Sequence, residues 1–228
     1  MATDAAPATP ATGVAPATPA TGVALAHHFE SLEKQTQAQR LGMWLFLATE
    51  ILLFTALFAA YGVYRFLYAS AFAEASRGLE TWLGGVNTFV LVTSSLTVAL
   101  GLDAATRGRG RRTGAFFFLS IALGLVFMTL KAVEYRHHIL HGELPGRFYT
   151  AGHLVGWGGP LFFTLYFLIT GLHALHVLIG MTVLGIIGAR AWRGAYSVSA
   201  HTPVELAGLY WHLVDLIWIF VFPLIYLI

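Results

Sequence analysis

Cysteine is absent from the 228-residue chain and charge is scarce: Asp, Glu, Lys and Arg make up 11% of it, against 57% hydrophobic residues. Without a thiol the chain can form no disulfide, no iron–sulfur cluster and no thiolate-bound zinc or copper. A soluble domain is about one-quarter charged, and no water-soluble fold of this size has interior enough to hide so much apolar surface. These shortages exclude a typical soluble enzyme, a disordered regulator and a nucleic-acid binder. With a mean hydropathy of +0.71, they indicate an integral membrane protein. The net charge of +2 comes from 13 cations against 11 anions and identifies no partner. The N-terminus also lacks a basic stretch followed by an apolar run, so no cleaved secretory signal is expected.

What is present falls into three parts. Residues 1–26 are a low-complexity Ala/Pro/Thr tail, in which the nine residues 6–14 repeat unchanged as 15–23. Such a segment cannot bury a core and reads as a flexible tail or tether. Residues 27–40 are polar and suit a short surface helix entering the membrane. Residues 41–228 are the transmembrane domain. Crossing the hydrocarbon core takes about 20 mostly apolar residues. Five stretches qualify: 41–66, 83–102, 114–134, 161–189 and 206–228. The fold class expected is an all-α integral membrane protein, a bundle of five transmembrane helices. Runs this long are not the short alternating segments of a β-barrel. The fourth run exceeds the bilayer and should tilt or project. Gly171, Gly180, Gly185 and Gly188 within it suit close helix approach. Trp44, Trp82, Trp157, Trp192 and Trp211 are expected near the interfaces.

Basic residues set the expected orientation. The N-terminal side, the second loop and the fourth loop hold Lys34, Arg40, Arg107, Arg109, Arg111, Arg112, Arg190 and Arg193. The first and third loops hold only Arg65, Arg77, Arg136 and Arg147. The excess places the N-terminus in the cytoplasm and the C-terminus outside. The 107–112 run reads as a topology anchor near anionic lipid rather than a nucleic-acid patch.

An ionisable group at mid-bilayer costs about 2.5–3.5 kcal/mol on insertion scales, so each needs a reason. The first span holds Glu50, the fourth His173 and His176, and the fifth His212 and Asp215. From the inferred topology these five form a candidate buried network in the cytoplasmic half, with His173 nearer the middle. Asn87, Thr88, Ser94 and Ser95 lie on adjoining faces of the second span. Lys131 and Glu134, three residues apart, can pair towards the outer end of the third. Glu205 opens the fifth span, and Trp218 extends the His212–Asp215 stripe. These groups either only tie helices together or handle protons, bind lipid headgroups or ligate metal. Glu134-x-x-His137 has the spacing of di-iron carboxylate proteins, but only one such pair exists where a bundle centre wants two. A bis-imidazole haem using His173 or His176 with His212 is geometrically open and nothing in the spacing demands it. A self-contained metalloenzyme built on Glu50, Glu134, His173, His176 and His212 is the reading from a different class.

Three blocks carry a specific resemblance. They are Leu41-Gly42-Met43-Trp44-Leu45-Phe46-Leu47-Ala48-Thr49-Glu50, Thr170-Gly171-Leu172-His173-Ala174-Leu175-His176-Val177, and Tyr210-Trp211-His212-Leu213-Val214-Asp215-Leu216-Ile217-Trp218; Glu134-Tyr135 agrees as well. In order and spacing the chain from about residue 40 onward resembles subunit III of the haem-copper terminal oxidases, in a short five-helix bacterial form without the N-terminal helix pair of longer members. Where the long form has Trp-Ala-His-His, this chain reads Gly101-Leu102-Asp103-Ala104-Ala105. The resemblance implies a non-catalytic subunit without a redox centre of its own, in a proton-pumping complex that reduces dioxygen to water. Haem and copper would lie in the partner subunits I and II, with supercomplex neighbours as further partners and no nucleic acid. It implies support of proton uptake and durability by Glu50, His173, His176, His212 and Asp215. Lys131, Glu134, Glu205 and Trp218 fall at structural or lipid-cleft positions, with bound phospholipid. Glu at position 50 leans towards cytochrome c as electron donor. A quinol oxidase subunit and the accessory subunit of nitric oxide reductases are similar. The location implied is a bacterial cytoplasmic membrane.

Overall fold

The structure is a computed structural model that describes residues 29–151, 156–198 and 200–227. The repeat tail lies outside the described residues. Six helices follow in order: α1 (Leu32–Leu67), α2 (Ala69–Arg77), α3 (Thr81–Thr106), α4 (Gly110–Leu140), α5 (Gly158–Trp192) and α6 (Thr202–Tyr226), with a 3₁₀ turn at Gly146–Phe148. All but α2 are long and apolar enough to cross a membrane.

Local chemistry sets the ends. The Ser31 hydroxyl caps α1 by accepting from the Lys34 amide at 3.2 Å, and Pro203 sits in the first turn of α6, where an amide hydrogen has no helical partner anyway. α3 and α5 each run into a left-handed glycine, Gly108 and Gly194. Their ends are tied by paired bonds, Gly108 N to Ala105 O with Arg109 N to Ala104 O, and Gly194 N to Ala191 O with Ala195 N to Arg190 O. This is the Schellman closure, which needs a residue tolerant of positive φ.

α3 packs on α4, α4 on α5, α5 on α6 and α6 back on α3, closing a four-helix body. α1 stands outside it, leaning on α5, α6 and α2. Within the apolar part of α1 only Leu47, Phe54 and Tyr61 are buried. They are seven residues apart and mark the centre of a narrow seam, flanked by the partly buried Met43, Leu57 and Phe58. Most of its remaining apolar surface, including Leu45, Leu52 and Phe66, is exposed, as a lipid-facing helix requires.

Several details differ from the sequence reading. The polar stretch before residue 41 forms no separate surface helix where it is described: α1 starts at Leu32 and runs through. At 36 residues and 1.5 Å per residue it is about 54 Å long, so its first turns project beyond a roughly 30 Å core. α4 continues past Glu134 to Leu140. The amphipathic α2 was not foreseen; it is docked by Phe72, edge-on to Phe162 at 5.4 Å, and by the Ser76 hydroxyl donating to Ile225 O at 2.9 Å. Trp211 faces into the bundle. It is 1% exposed and donates to Ser94 Oγ at 2.9 Å, well inside α6. Of the α5 glycines, Gly180 and Gly188 mark close approaches. A Cβ at Gly180 would lie 2.8 Å from the Trp211 ring, and one at Gly188 3.2 Å from Phe117 Cβ. Gly171 and Gly185 have nothing nearer than 3.7 Å.

Candidate functional site

The intramembrane polar groups sort into two nodes and some isolated members. The first node is wholly inside the body. Lys131 Nζ donates to Glu134 Oε2 at 3.0 Å, Tyr226 Oη at 2.8 Å and Tyr166 Oη at 3.2 Å. The two phenols in turn donate to Glu134 Oε1, at 2.5 Å from Tyr226 and 2.7 Å from Tyr166. The rings of Tyr135, Tyr166, Trp218 and Tyr226 lie 5.0–5.5 Å from the ammonium. The two side chains are 3% and 2% exposed. An ion pair this deep persists only if its polar atoms are bonded, and here α4, α5 and α6 together give each of them a partner.

The second node lies on the α1 seam. His176 Nε2 is 2.8 Å from Glu50 Oε2, with the side chains 9% and 16% exposed. His176 Nδ1 is 2.8 Å from Leu172 O. A carbonyl can only accept, so Nδ1 carries a hydrogen. The contact on the other side of the ring then needs a further proton, held either by the imidazolium or by the Glu50 carboxyl. The pair is thus built around one shared proton. Phe46 and Phe54 stand one helical turn to either side of Glu50, and each borders an apolar groove. One groove, of about 380 Å³, is also lined by Met43, Val183, Leu206 and Tyr210. The other, of about 250 Å³, is lined by Ile51, Leu213, Ile217 and Phe220. Both follow from a helix attached along a narrow seam.

Of the remaining candidates, only Trp218 borders a node, by its ring beside Lys131. His173, one turn from His176, turns into the body between Phe127 and Trp218, at ring distances of 5.6 and 5.2 Å. Neither of its nitrogens has a hydrogen-bond partner among the described residues. His212 Nδ1 is 2.6 Å from Ser95 Oγ. Asp215 is 4% exposed, and its Oδ1 has no partner among the described residues. Trp218 donates to Thr88 Oγ1 at 3.1 Å. Glu205 pairs with Arg40 at 2.8 Å and ties the start of α1 to the start of α6. Among the described residues, no three His, Asp or Glu side chains are grouped to hold a metal ion. Tyr166, Tyr226 and the Leu172 carbonyl are essential to the two nodes, and sequence reasoning missed all three.

Two nodes of this kind in a five-span bundle suit several membrane complexes, and similarity decides among them. Residues 21–228 match the family described as Cytochrome c oxidase subunit III. The chain belongs to this family. The match starts upstream of residue 40 and takes in the polar approach to α1. Cytochrome c oxidase subunit 3 of Synechocystis sp. is 33% identical over 82% of this chain and 74% of its own length. The corresponding protein of Thermostichus vulcanus is 32% identical over 82% and 86%. The cytochrome bo(3) ubiquinol oxidase subunit 3 of Pseudomonas aeruginosa is 28% identical over 82% and 83%. The chain is therefore a subunit III of the haem-copper oxidases, a multi-pass membrane protein whose partners are other oxidase subunits.

Proposed function

We propose that this subunit III supports the catalytic subunit of its oxidase rather than reacting itself: it helps keep protons supplied and turnover durable, and holds phospholipid along α1. The observation that carries this reading is the Glu50–His176 pair, one proton shared between two side chains on a seam flanked by two apolar grooves. A proton held this way can change owner without moving a helix. The grooves beside α1 suit acyl chains, which would fill space that a body helix fills with side chains. His173 and Asp215, which are buried, and the half-buried His212 belong to this reading as polar groups of the same bundle. Lys131, Glu134, Glu205 and Trp218 are proposed as structural. The redox centres would lie in subunits I and II. Cytochrome c is the proposed electron donor, in keeping with the names of the relatives above 30% identity; a quinol donor is the runner-up, by the ubiquinol oxidase relative. The arginine-rich end is assigned to the cytoplasm of a bacterial cell, with residues 1–26 as a tether beyond it.

The test is Glu50→Gln in the intact complex. Glutamine can still donate to His176 but can neither lose a proton nor stabilise an imidazolium. The haem and copper spectra should stay as in the wild type, while the number of turnovers before inactivation falls severalfold. Wild-type durability, or loss of haem from a complex with all subunits assembled, would overturn the proposal.

A further inference from the structure

Six arginines gather where the α3–α4 turn meets the end of α5: Arg107, Arg109, Arg111, Arg112, Arg190 and Arg193. The meeting is fixed by glycine. The Cβ position of Gly110 falls against Ala191 O, and that of Gly114 lies 2.8 Å from Gly188 O and 3.0 Å from the Trp192 ring. The charge is nearly unopposed, since Asp103 on the same turn is engaged by Arg107 at 2.9 Å. Just inside this rim is a furrow of about 270 Å³ lined by Phe118, Ala189, Trp192 and Arg193. Phe118 and Trp192 are 43% and 49% exposed, with ring centroids 6.3 Å apart. Arg111 is three residues before Gly114 and seven before Phe118, so it rises from the same face of α4. This furrow is separate from the grooves along α1. Ile187, which lines one of those, and Ala189 are two residues apart and point to opposite sides of α5.

We propose that the α4–α5 furrow is a headgroup-selective site for one anionic phospholipid, with its phosphate between Arg111 and Arg193 and an acyl chain against Phe118 and Trp192. The dimensions agree. Seven residues of helix separate Arg111 from Phe118, about 10 Å, which crosses an interfacial layer of about 5–7 Å and reaches the upper methylenes of an acyl chain. Glycine-mediated contact beneath closes the floor, so the ligand lies along the surface and does not wedge the helices apart. An orientation signal needs arginines only in number; it does not need one set at the mouth of an aromatic-walled furrow. The chemistry here is phosphate plus hydrocarbon, which a free phosphate does not satisfy. The site stands apart from the role proposed for Glu50 and does not depend on which membrane face the arginines occupy.

The intact oxidase complex in nanodiscs would be photolabelled with phosphatidylglycerol carrying a diazirine on its acyl chain, and the labelled peptides mapped. Label is expected on the peptide around Phe118 and on that around Trp192. It should fall at least tenfold in the R111Q/R193Q variant and stay unchanged in R136Q, at the other end of the bundle. Excess inorganic phosphate should not displace it. Equal labelling by the phosphatidylcholine analogue would overturn the proposal by reducing the furrow to a generic apolar surface. So would undiminished label in the double variant, displacement by phosphate, or no label at these peptides. The haem spectrum of each variant complex checks assembly, and the labelling of the α1 grooves by the same probe provides an internal reference.

Discussion

Two polar pairs sit in this membrane bundle under opposite conditions. Lys131–Glu134 is enclosed by the four-helix body, bonded to two tyrosines and ringed by four aromatic faces. Glu50–His176 lies on the α1 seam, with one bond between the pair and apolar grooves beside it. Every polar atom of the first is bonded, so changing it disturbs three helices at once. The second has a proton that either partner can own and lies on a helix held along a narrow seam. A saturated node fixes structure; an unsaturated one at a loose seam is free to respond to what docks beside it. The difference originates in helix packing, because the residue types are similar: each pair joins a glutamate to a nitrogen base.

The contrast is tested most severely at Glu134. Glu134→Leu leaves a buried ammonium without its counter-charge and should destabilise the subunit by about 3–5 kcal/mol. Loss of the subunit from the detergent-solubilised complex, followed against denaturant, measures this. Adding Lys131→Met should recover most of the loss, because Tyr166 and Tyr226, both already at the node, can then bond each other. A double variant as unstable as the single one would show that the node is more than a matched ion pair.

The next test compares two buried phenylalanines. Phe127 is 0% exposed and stacks edge-on to Trp218 at 4.9 Å. Phe54 is 1% exposed but borders a groove at the seam. Lipid chains are as apolar as the protein interior, so truncation costs mainly lost packing. Phe127→Ala leaves an enclosed void and should cost about 2–3 kcal/mol. Phe54→Ala only widens a groove that an acyl chain can fill, and should cost about 1 kcal/mol or less. Equal losses would mean that α1 is gripped as firmly as the body helices.

The sequence carried the spans well, because run length against bilayer thickness is a local property. The Lys131–Glu134 pair was legible for the same reason: three residues of helix bring the two side chains together. Which tyrosines complete that node was not legible, since it depends on the register of α5 and α6 against α4. His173 and His176 illustrate the limit. Their spacing suggests one face, but three residues turn a helix by 300°, leaving them about 60° apart. At the boundary between body and seam that angle sends one ring to Phe127 and the other to Glu50. The packing role of Trp211 was not legible either: its ring fills the space over Gly180 and its N–H finds Ser94 on α3, both set by how α6 registers against its neighbours.

The smallest effect should come from the tether at the start of α1. Arg40 and Glu205 have side chains 51% and 27% exposed, and an ion pair so open to water is worth about 0–1 kcal/mol and weakens with salt. Arg40→Gln should therefore leave the stability of the body unchanged. Its effect should be local: amides of residues 32–40 should exchange hydrogen faster, while α4, α5 and α6 keep wild-type protection. High salt applied to the wild type should reproduce the same pattern, and the swap Arg40→Glu with Glu205→Arg should reverse it. If exchange instead accelerated throughout α5 and α6, α1 would be an integral fifth member of the bundle. The looseness on which the role of Glu50 depends would then not exist.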